Sequence, residues 1–307
     1  MHSNSNSRIS ELGLIDYFRK TLKKKNSKIV KGIGDDAAVI KINKDKYLLN
    51  TSDMLIEGRH FRSRDDLGDI GYKAIACSLS DIAAMGGSPS FALVSLGIPK
   101  RLKSKDIKSL FSGIKKSADR FGVNIVGGDT NLSQKLIIDI SMTGFVDSKK
   151  LTLRSNARVG DYIFVTGSLG GSIYQKHLKF TPRVKEAQYL TTKFKLNSMI
   201  DISDGLILDL WRVLKASRVG AAIYEDLIPK SKDAKNLNQA LYMGEDFELL
   251  FTVSEKNSKT LLRRIRENKF DFDLSFIGKI MDKKEQIWLI DRHKKSKKLK
   301  PKGFLHF

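Results

Sequence analysis

The stretch Lys31 to Ile40, KGIGDDAAVI, sets two glycines before two adjacent carboxylates, Asp35 and Asp36, and then runs directly into an apolar segment. Glycine accepts backbone angles that other residues resist, so Gly32 and Gly34 mark a tight loop with two charges on neighbouring positions. For an isolated GDD, a solvated turn is a sufficient reading. The pattern, however, recurs. Asp53 ends the expected strand Lys46 to Ser52, Asp81 sits in SDIAAMGG, Asp129 in GGDTN, and Asp201 and Asp204 in IDISDG. Each lies where an apolar segment meets a glycine, the kind of position at which chains turn and ligand sites are built. A fold that gathers these positions must also gather cations, because two unit charges about 5 Å apart repel by about 3 kcal/mol at an effective dielectric of ~20.

The residue types narrow the choice of cation. Five histidines and one cysteine, with no close-spaced pair, leave no zinc set. Magnesium takes one or two carboxylates per ion and completes its shell with water and substrate phosphate, which suits dispersed aspartates. The chemistry that follows is phosphoryl transfer.

At 307 residues the chain exceeds the usual size of one core, so two domains are expected, and a hydrophobic fraction of 41% fills both. A single cysteine, Cys77, excludes an intramolecular disulfide and fits a reducing, cytoplasmic setting; it lies in an apolar helical stretch and reads as a small buried residue. No run approaches the ~18 apolar residues of a membrane span. The start, MHSNSNSRIS, has no apolar core and reads as a disordered tail. The net charge of +22 has two readings, a nucleic-acid surface or solvated lysine. Its densest runs are Lys20 to Lys31 and Lys279 to Lys302, the latter with ten Lys or Arg in 24 residues, and neither is interleaved with aromatics. Solvated lysine that favours anionic substrates is the better reading, with no specific nucleic-acid partner.

Hydrophobic periodicity gives the order of elements. Helices are expected over Glu11 to Lys24, Leu67 to Met85, Ser104 to Phe121 and Thr181 to Phe194, the last with Pro182 in its first turn. Another follows Ser203 or Asp204 as cap, and Glu255 to Asn268 forms a basic helix. Strands are expected over 37–42, 46–52, 91–98, 123–126, 135–146, 161–166, 198–202, 220–225 and 247–253, with 274–280 and 286–290 as a closing pair. GGDT is read as the turn after 123–126. TGSLGGS lacks the ending of a P-loop, reads as structural and turns into a helix near Ser172. The sum is an α/β chain of two domains, residues 1–150 and 151–307, each a mixed sheet covered by helices, joined across 147–160.

The segments GIGDDAAV, TSDMLIEGRHF, YKAIACSLSDIAAMGG, GGDT, RSNARVGD, IDISDGL and GEDFELLF occur in that order across most of the chain. Together they resemble the thiamine-monophosphate kinase family, in the superfamily that holds aminoimidazole-ribonucleotide synthetase. The resemblance implies ATP-dependent conversion of thiamine monophosphate to the diphosphate with several Mg2+ ions, and a homodimer formed through N-terminal-domain sheets. Residue by residue, it implies metal contacts at Asp35, Asp36, Thr51, Ser52, Asp53, Asp81, Asp129, Asp201 and Asp204. It implies ATP contacts at Gly128, Asp129, Arg154 and Ser203, with Arg154 offering a planar fork to phosphate, and substrate contacts at His60, Glu245 and Phe304. As ordinary residues these would be a surface histidine, a turn glutamate and a packing phenylalanine. The chain departs from the family pattern at Asn156, where glycine is usual, and at Leu153, between Thr152 and Arg154.

The implied acceptor is itself a phosphate with a second pKa of about 6, so no general base is obligatory and the site's task is to hold two polyanions in line. Two other readings compete. The selenophosphate branch of the superfamily needs a reactive cysteine or selenocysteine near the N-terminus, and the purine branch lacks EGRHF and GEDFELLF. A basic RNA-binding protein on a degenerate enzyme scaffold would not need all seven aspartates.

Overall fold

The computed structural model describes residues 10–22, 26–174 and 176–304. The expected N-terminal tail and the expected end of the first helix at Lys24 lie outside the described residues. Strands β1 (Ile29–Lys31), β2 (Ala38–Lys41), β3 (Lys46–Ile56), β4 (Ser88–Pro99), β5 (Asn124–Ser133) and β6 (Ile137–Asp147) form one sheet in the order β1-β2-β3-β6-β4-β5. Only β4 and β5 pair in parallel. Strands β7 (Tyr162–Thr166), β8 (Ser198–Ile202), β9 (Gly220–Tyr224), β10 (Glu248–Val253), β11 (Leu274–Met281), β12 (Ile287–Ile290) and β13 (Ser296–Leu299) form the second, ordered β13-β12-β9-β11-β7-β10-β8. Here only β9 and β12 are parallel. Helices α1 (Glu11–Thr21), α2 (Leu67–Ala84), α3 (Ser104–Arg120), α4 (Lys176–Lys179), α5 (Val184–Lys193), α6 (Leu206–Ser217), α7 (Leu237–Tyr242) and α8 (Glu255–Arg266) complete the expected α/β architecture of two mixed sheets.

Alternation along β3 decides which of its side chains can reach a site. Leu49 and Leu55 are buried while Asn50, Ser52 and Met54 are exposed, so Thr51 and Asp53 share the inner face with the leucines. That face packs on α2, where every residue from Ile70 to Ser80 is buried. Helix α2 also meets α4, α5 and β8, so one core runs from Leu49, Ile75 and Ile140 to Phe164, Met199 and Phe251. Its crossing with α3 depends on missing side chains: a Cβ on Gly71 would stand 2.1 Å from Leu110 O, and one on Gly113 1.8 Å from Gly68 O. The far face of the second sheet carries a separate core, with Ile163, Ile200 and Ile223 against Leu210 and Leu214 of α6.

Several expectations are corrected. Strand β3 continues three residues past Asp53 to Ile56, and GGDT lies inside β5 rather than in a turn. A Cβ on Gly128 would stand 1.8 Å from Val94 O, which is why this strand tolerates only glycine there. Pro182 precedes α5, and the N-cap of α6 is Gly205 with no side-chain cap; the Asp209 carboxylate instead accepts from Asp204 N at 2.9 Å. The two segments expected as a closing pair do not pair: β11 lies between β7 and β9, and β12 joins β9 and β13. Strands β1 and β13 and helix α7 have no counterpart in the sequence reading. Among the described residues, no helix is long and apolar enough to cross a membrane.

Candidate active site

Three of the expected carboxylates converge. Asp36 from the β1–β2 loop, Asp81 from the last turn of α2 and Asp201 from β8 each offer an oxygen within 4.8 Å of the others. Asp36 and Asp201 are buried and Asp81 is half-buried. Asp81 also sits at the carbonyl end of α2, the unfavourable end of the helix dipole for an anion. Burial, with Asp53, Asp201 and Asp36 beside it, pushes the Asp81 carboxyl well above the ordinary range. Burial and Asp36 do the same to Asp201. Asp53 is pushed up to about 6 by burial, against a hydrogen bond from Ser78 and with Asp139, Glu245 and Asp36 adding repulsion.

Two hydroxyls of α2 and one of β3 orient these carboxylates. Ser78 Oγ donates to Asp53 at 2.7 Å, Ser80 Oγ donates to Asp201 at 2.7 Å, and Thr51 Oγ1 donates to Asp81. Neither serine was singled out in the sequence; the signal was two hydroxyls two residues apart, SLSD, in an otherwise apolar helix. Arg154 Nη2 donates to Asp36 Oδ1 at 2.6 Å, and Arg154 N donates to Asp35 Oδ1 at 3.1 Å. The second oxygen of Asp36 is buried with no hydrogen-bond partner, which leaves an acceptor for a cation. A hard divalent ion fits this donor set of buried carboxylate oxygens. Asp35 serves differently, pairing with Lys31 at 3.2 Å while it anchors the Arg154 backbone. The two departures leave Arg154 in place: Asn156 has φ +91°, the left-handed region that asparagine tolerates and glycine favours, and Leu153 O accepts from Met199 N at 3.1 Å.

His60, Glu245 and Phe304, far apart in sequence, line one cavity of about 350 Å³ with Arg59, His177 and Tyr242. The His60 and Phe304 rings stand 6.3 Å apart at 58°, and the Arg59 guanidinium lies 4.4 Å from the Phe304 centroid. His60 Nδ1 accepts from Ile56 N at 2.9 Å, so the neutral ring carries its proton on Nε2. Phe304 is tied down by its backbone, which donates to Asp204 O at 2.9 Å. Asp53 feels both Asp36 of the carboxylate trio and Glu245 of this cavity.

The remaining expected residues stand elsewhere. The Ser52 hydroxyl lies on the opposite face of β3, donating to Asp139 at 3.1 Å, so its side chain does not join the trio. Gly128 and Asp129 stand on the exposed edge strand β5, three strand spacings or roughly 14 Å from β3. The Asp129 carboxylate accepts from Thr130 N and Asn131 Nδ2, both at 2.8 Å. Asp204 pairs with Arg212 at 2.6 Å, an arginine the sequence reading passed over. Ser203 is half-buried, and its carbonyl accepts from Glu245 N at 2.7 Å.

Comparison with known proteins matches both halves of the chain. The model for the N-terminal domain of AIR synthase related proteins fits residues 34–146, and that for the C-terminal domain fits residues 158–290. Thiamine-monophosphate kinase of Buchnera aphidicola subsp. Schizaphis graminum is 38% identical over 97% of this chain and 99% of its own. The enzyme of that name from Rhodopirellula baltica is 36% identical over 90% of each chain. The solved structure of AaThiL complexed with AMPPCP and TMP superposes with a TM-score of 0.84 at 29% identity, covering 100% of this chain and 99% of its own. A chain that matches both domain models and aligns with these kinases over 90% or more of its length belongs to the thiamine-monophosphate kinase family of AIR synthase related proteins.

Proposed function

We propose that the protein transfers the γ-phosphoryl group of ATP directly, in line, to thiamine monophosphate, giving thiamine diphosphate. The observation that carries this reading is the cavity in which His60, Glu245 and Phe304 meet beside a trio of carboxylates. The related structure that holds AMPPCP and TMP supports it. Phe304 offers a ring face to the flat substrate, Glu245 accepts from its amino group, and His60 donates through Nε2. Asp36, Asp81 and Asp201 would hold Mg2+, with Thr51 and Asp53 behind them and Asp35, Asp129 and Asp204 at the periphery for further ions. Bound Mg2+ supplies positive charge to the phosphate oxygens of both substrates. Ser52 contributes no side chain to this set. Arg154 presents a rigid fork to phosphate, while Gly128, Asp129 and Ser203 are assigned to ATP.

No residue has to remove a proton, because the acceptor phosphate is largely ionised near neutral pH. Nor does the site offer a covalent carrier. Burial holds the Cys77 thiol well above its ordinary range, so it stays protonated. In this reading residues 1–150 form the dimerising domain and supply Asp36 and Asp81, while the domain of residues 151–307 supplies Asp201 and shares the substrate cavity. The outer face of the first sheet exposes Met54, Phe91, Leu93 and Val126, an apolar surface that a second copy covers to give a homodimer. One buried free cysteine fits the cytoplasm. Calorimetry tests the cavity assignment: Phe304→Ala and Glu245→Gln should each weaken thiamine monophosphate binding by about tenfold or more and leave Mg-ATP affinity within about twofold. Unchanged affinity for thiamine monophosphate in both variants would remove the cavity from the reaction.

A further inference from the structure

Lys73 sits in the middle of α2, in its fully buried stretch, and is itself 0% exposed. An ammonium withdrawn from water costs several kcal/mol unless it is paired and hydrogen-bonded. Lys73 Nζ has two such partners: it donates to His60 O at 2.9 Å and forms an ion pair with the Glu245 carboxylate. Those partners come from opposite halves of the chain, and both line the substrate cavity. Glu245 is held in an uncommon backbone conformation, φ +71°, which persists only where surrounding contacts fix it. The charge reaches the other wall as well: burial and Lys73 together hold the His177 imidazole below its ordinary range, so that ring is presented neutral.

We propose that Lys73 is the positioning residue of the acceptor site, one buried ammonium that fixes the Glu245 carboxylate and the His60 loop in register so that the two walls close on a flat, cationic heteroaromatic ligand. This rests on the assignment of the cavity to thiamine monophosphate. Lys73 reaches the ligand only through Glu245 and His60, and its hydrogen bonds go to none of the groups assigned to ATP. Its loss therefore acts on the affinity for the acceptor and not on the transfer step.

Steady-state kinetics of the full-length protein separates this role from a structural one. Lys73→Met should raise KM for thiamine monophosphate by about tenfold or more while kcat and KM for ATP stay within about threefold, the pattern of lost binding energy shared by ground and transition states. Lys73→Arg, which keeps the charge, should recover part of that loss. In the double variant Lys73→Met with Glu245→Gln, no charge is stranded, so the fold is retained, and KM should be no worse than in Glu245→Gln alone, the non-additivity of residues acting through one contact. An unchanged acceptor KM in Lys73→Met, a fall in kcat and ATP affinity of the same size, or additive losses in the double variant would overturn the inference. A wild-type protein that does not phosphorylate thiamine monophosphate would overturn the reaction reading instead.

Discussion

Replacing Asp201 by asparagine should stabilise the cation-free protein and at the same time remove its response to magnesium. The oxygens offered by Asp36, Asp81 and Asp201 lie within 4.8 Å of one another. At that spacing two unit charges repel by roughly 3.5 kcal/mol at an effective dielectric of about 20. The wild type escapes part of this by binding protons, since burial and its neighbours raise the Asp201 carboxyl well above the ordinary range. The net gain from the substitution is therefore about 1–3 kcal/mol, a fraction of the Coulomb term. The change costs little in hydrogen bonding, because the amide oxygen of asparagine accepts from Ser80 Oγ as the carboxylate does at 2.7 Å. In melting temperature each kcal/mol corresponds to about 2–4 °C for chains of 150–250 residues.

The pH dependence has a definite sign. Carboxyls with raised folded-state pKa values keep protons that the unfolded chain releases, so wild-type stability in chelator falls as pH rises from the ordinary carboxylate range through the raised values of Asp53, Asp81 and Asp201. The window reaches about 6 for Asp53, and the Asp81 and Asp201 carboxyls, raised well above the ordinary range, act in the same direction. The assay is urea unfolding at pH 5 and pH 8, in EDTA and in Mg2+. Wild type should gain about 2.7 kcal/mol at a Mg2+ concentration 100 times its Kd, and Asp201→Asn should gain little. A variant less stable than wild type in EDTA, or one still stabilised fully by Mg2+, refutes the reasoning.

Two further outcomes are expected. Arg183 holds the buried Glu248 with two hydrogen bonds of 2.6 and 2.7 Å, so Arg183→Met should strand that carboxylate and lower stability by about 3–5 kcal/mol in urea titration; a loss under about 1 kcal/mol would mean that Lys176 and Thr166 suffice. Leu93, on the exposed face of the first sheet, should be needed for self-association. Sedimentation of Leu93→Lys should give monomer where wild type gives dimer, and a wild-type monomer at micromolar concentration contradicts the assigned interface.

What could be read from the sequence was what is local. The helical period of 67–85 and the apolar segments around each aspartate placed α2, β3 and β8 within a few residues. Asp36, Asp81 and Asp201 stand out with four other aspartates because each lies where an apolar segment meets a glycine. Ser52 shows a local rule left unapplied: period-two alternation already puts it on the face opposite Thr51 and Asp53. Lys73 was hidden for a different reason. A lysine in a helix reads as solvent-facing, and the glutamate that permits its burial lies 172 residues away. Neither Ser203 nor Asp204 caps α6, because the helix begins at a glycine with φ +112° and the Asp204 carboxylate pairs with Arg212. Strands β1 and β13 escaped because they are short and flanked or filled by lysine, and their identity rests on neighbours in the sheet rather than on pattern.

The most direct test of the central claim is a product assay with γ-labelled ATP and Mg2+, run with thiamine monophosphate, with free thiamine and with no acceptor. An ionised phosphate can attack without a base, whereas the hydroxyl of thiamine arrives protonated and, in the proposed reading, would meet carboxylates that hold cations. Label should appear in thiamine diphosphate alone. Label on free thiamine, or trapped on the protein without acceptor, would contradict direct transfer to thiamine monophosphate.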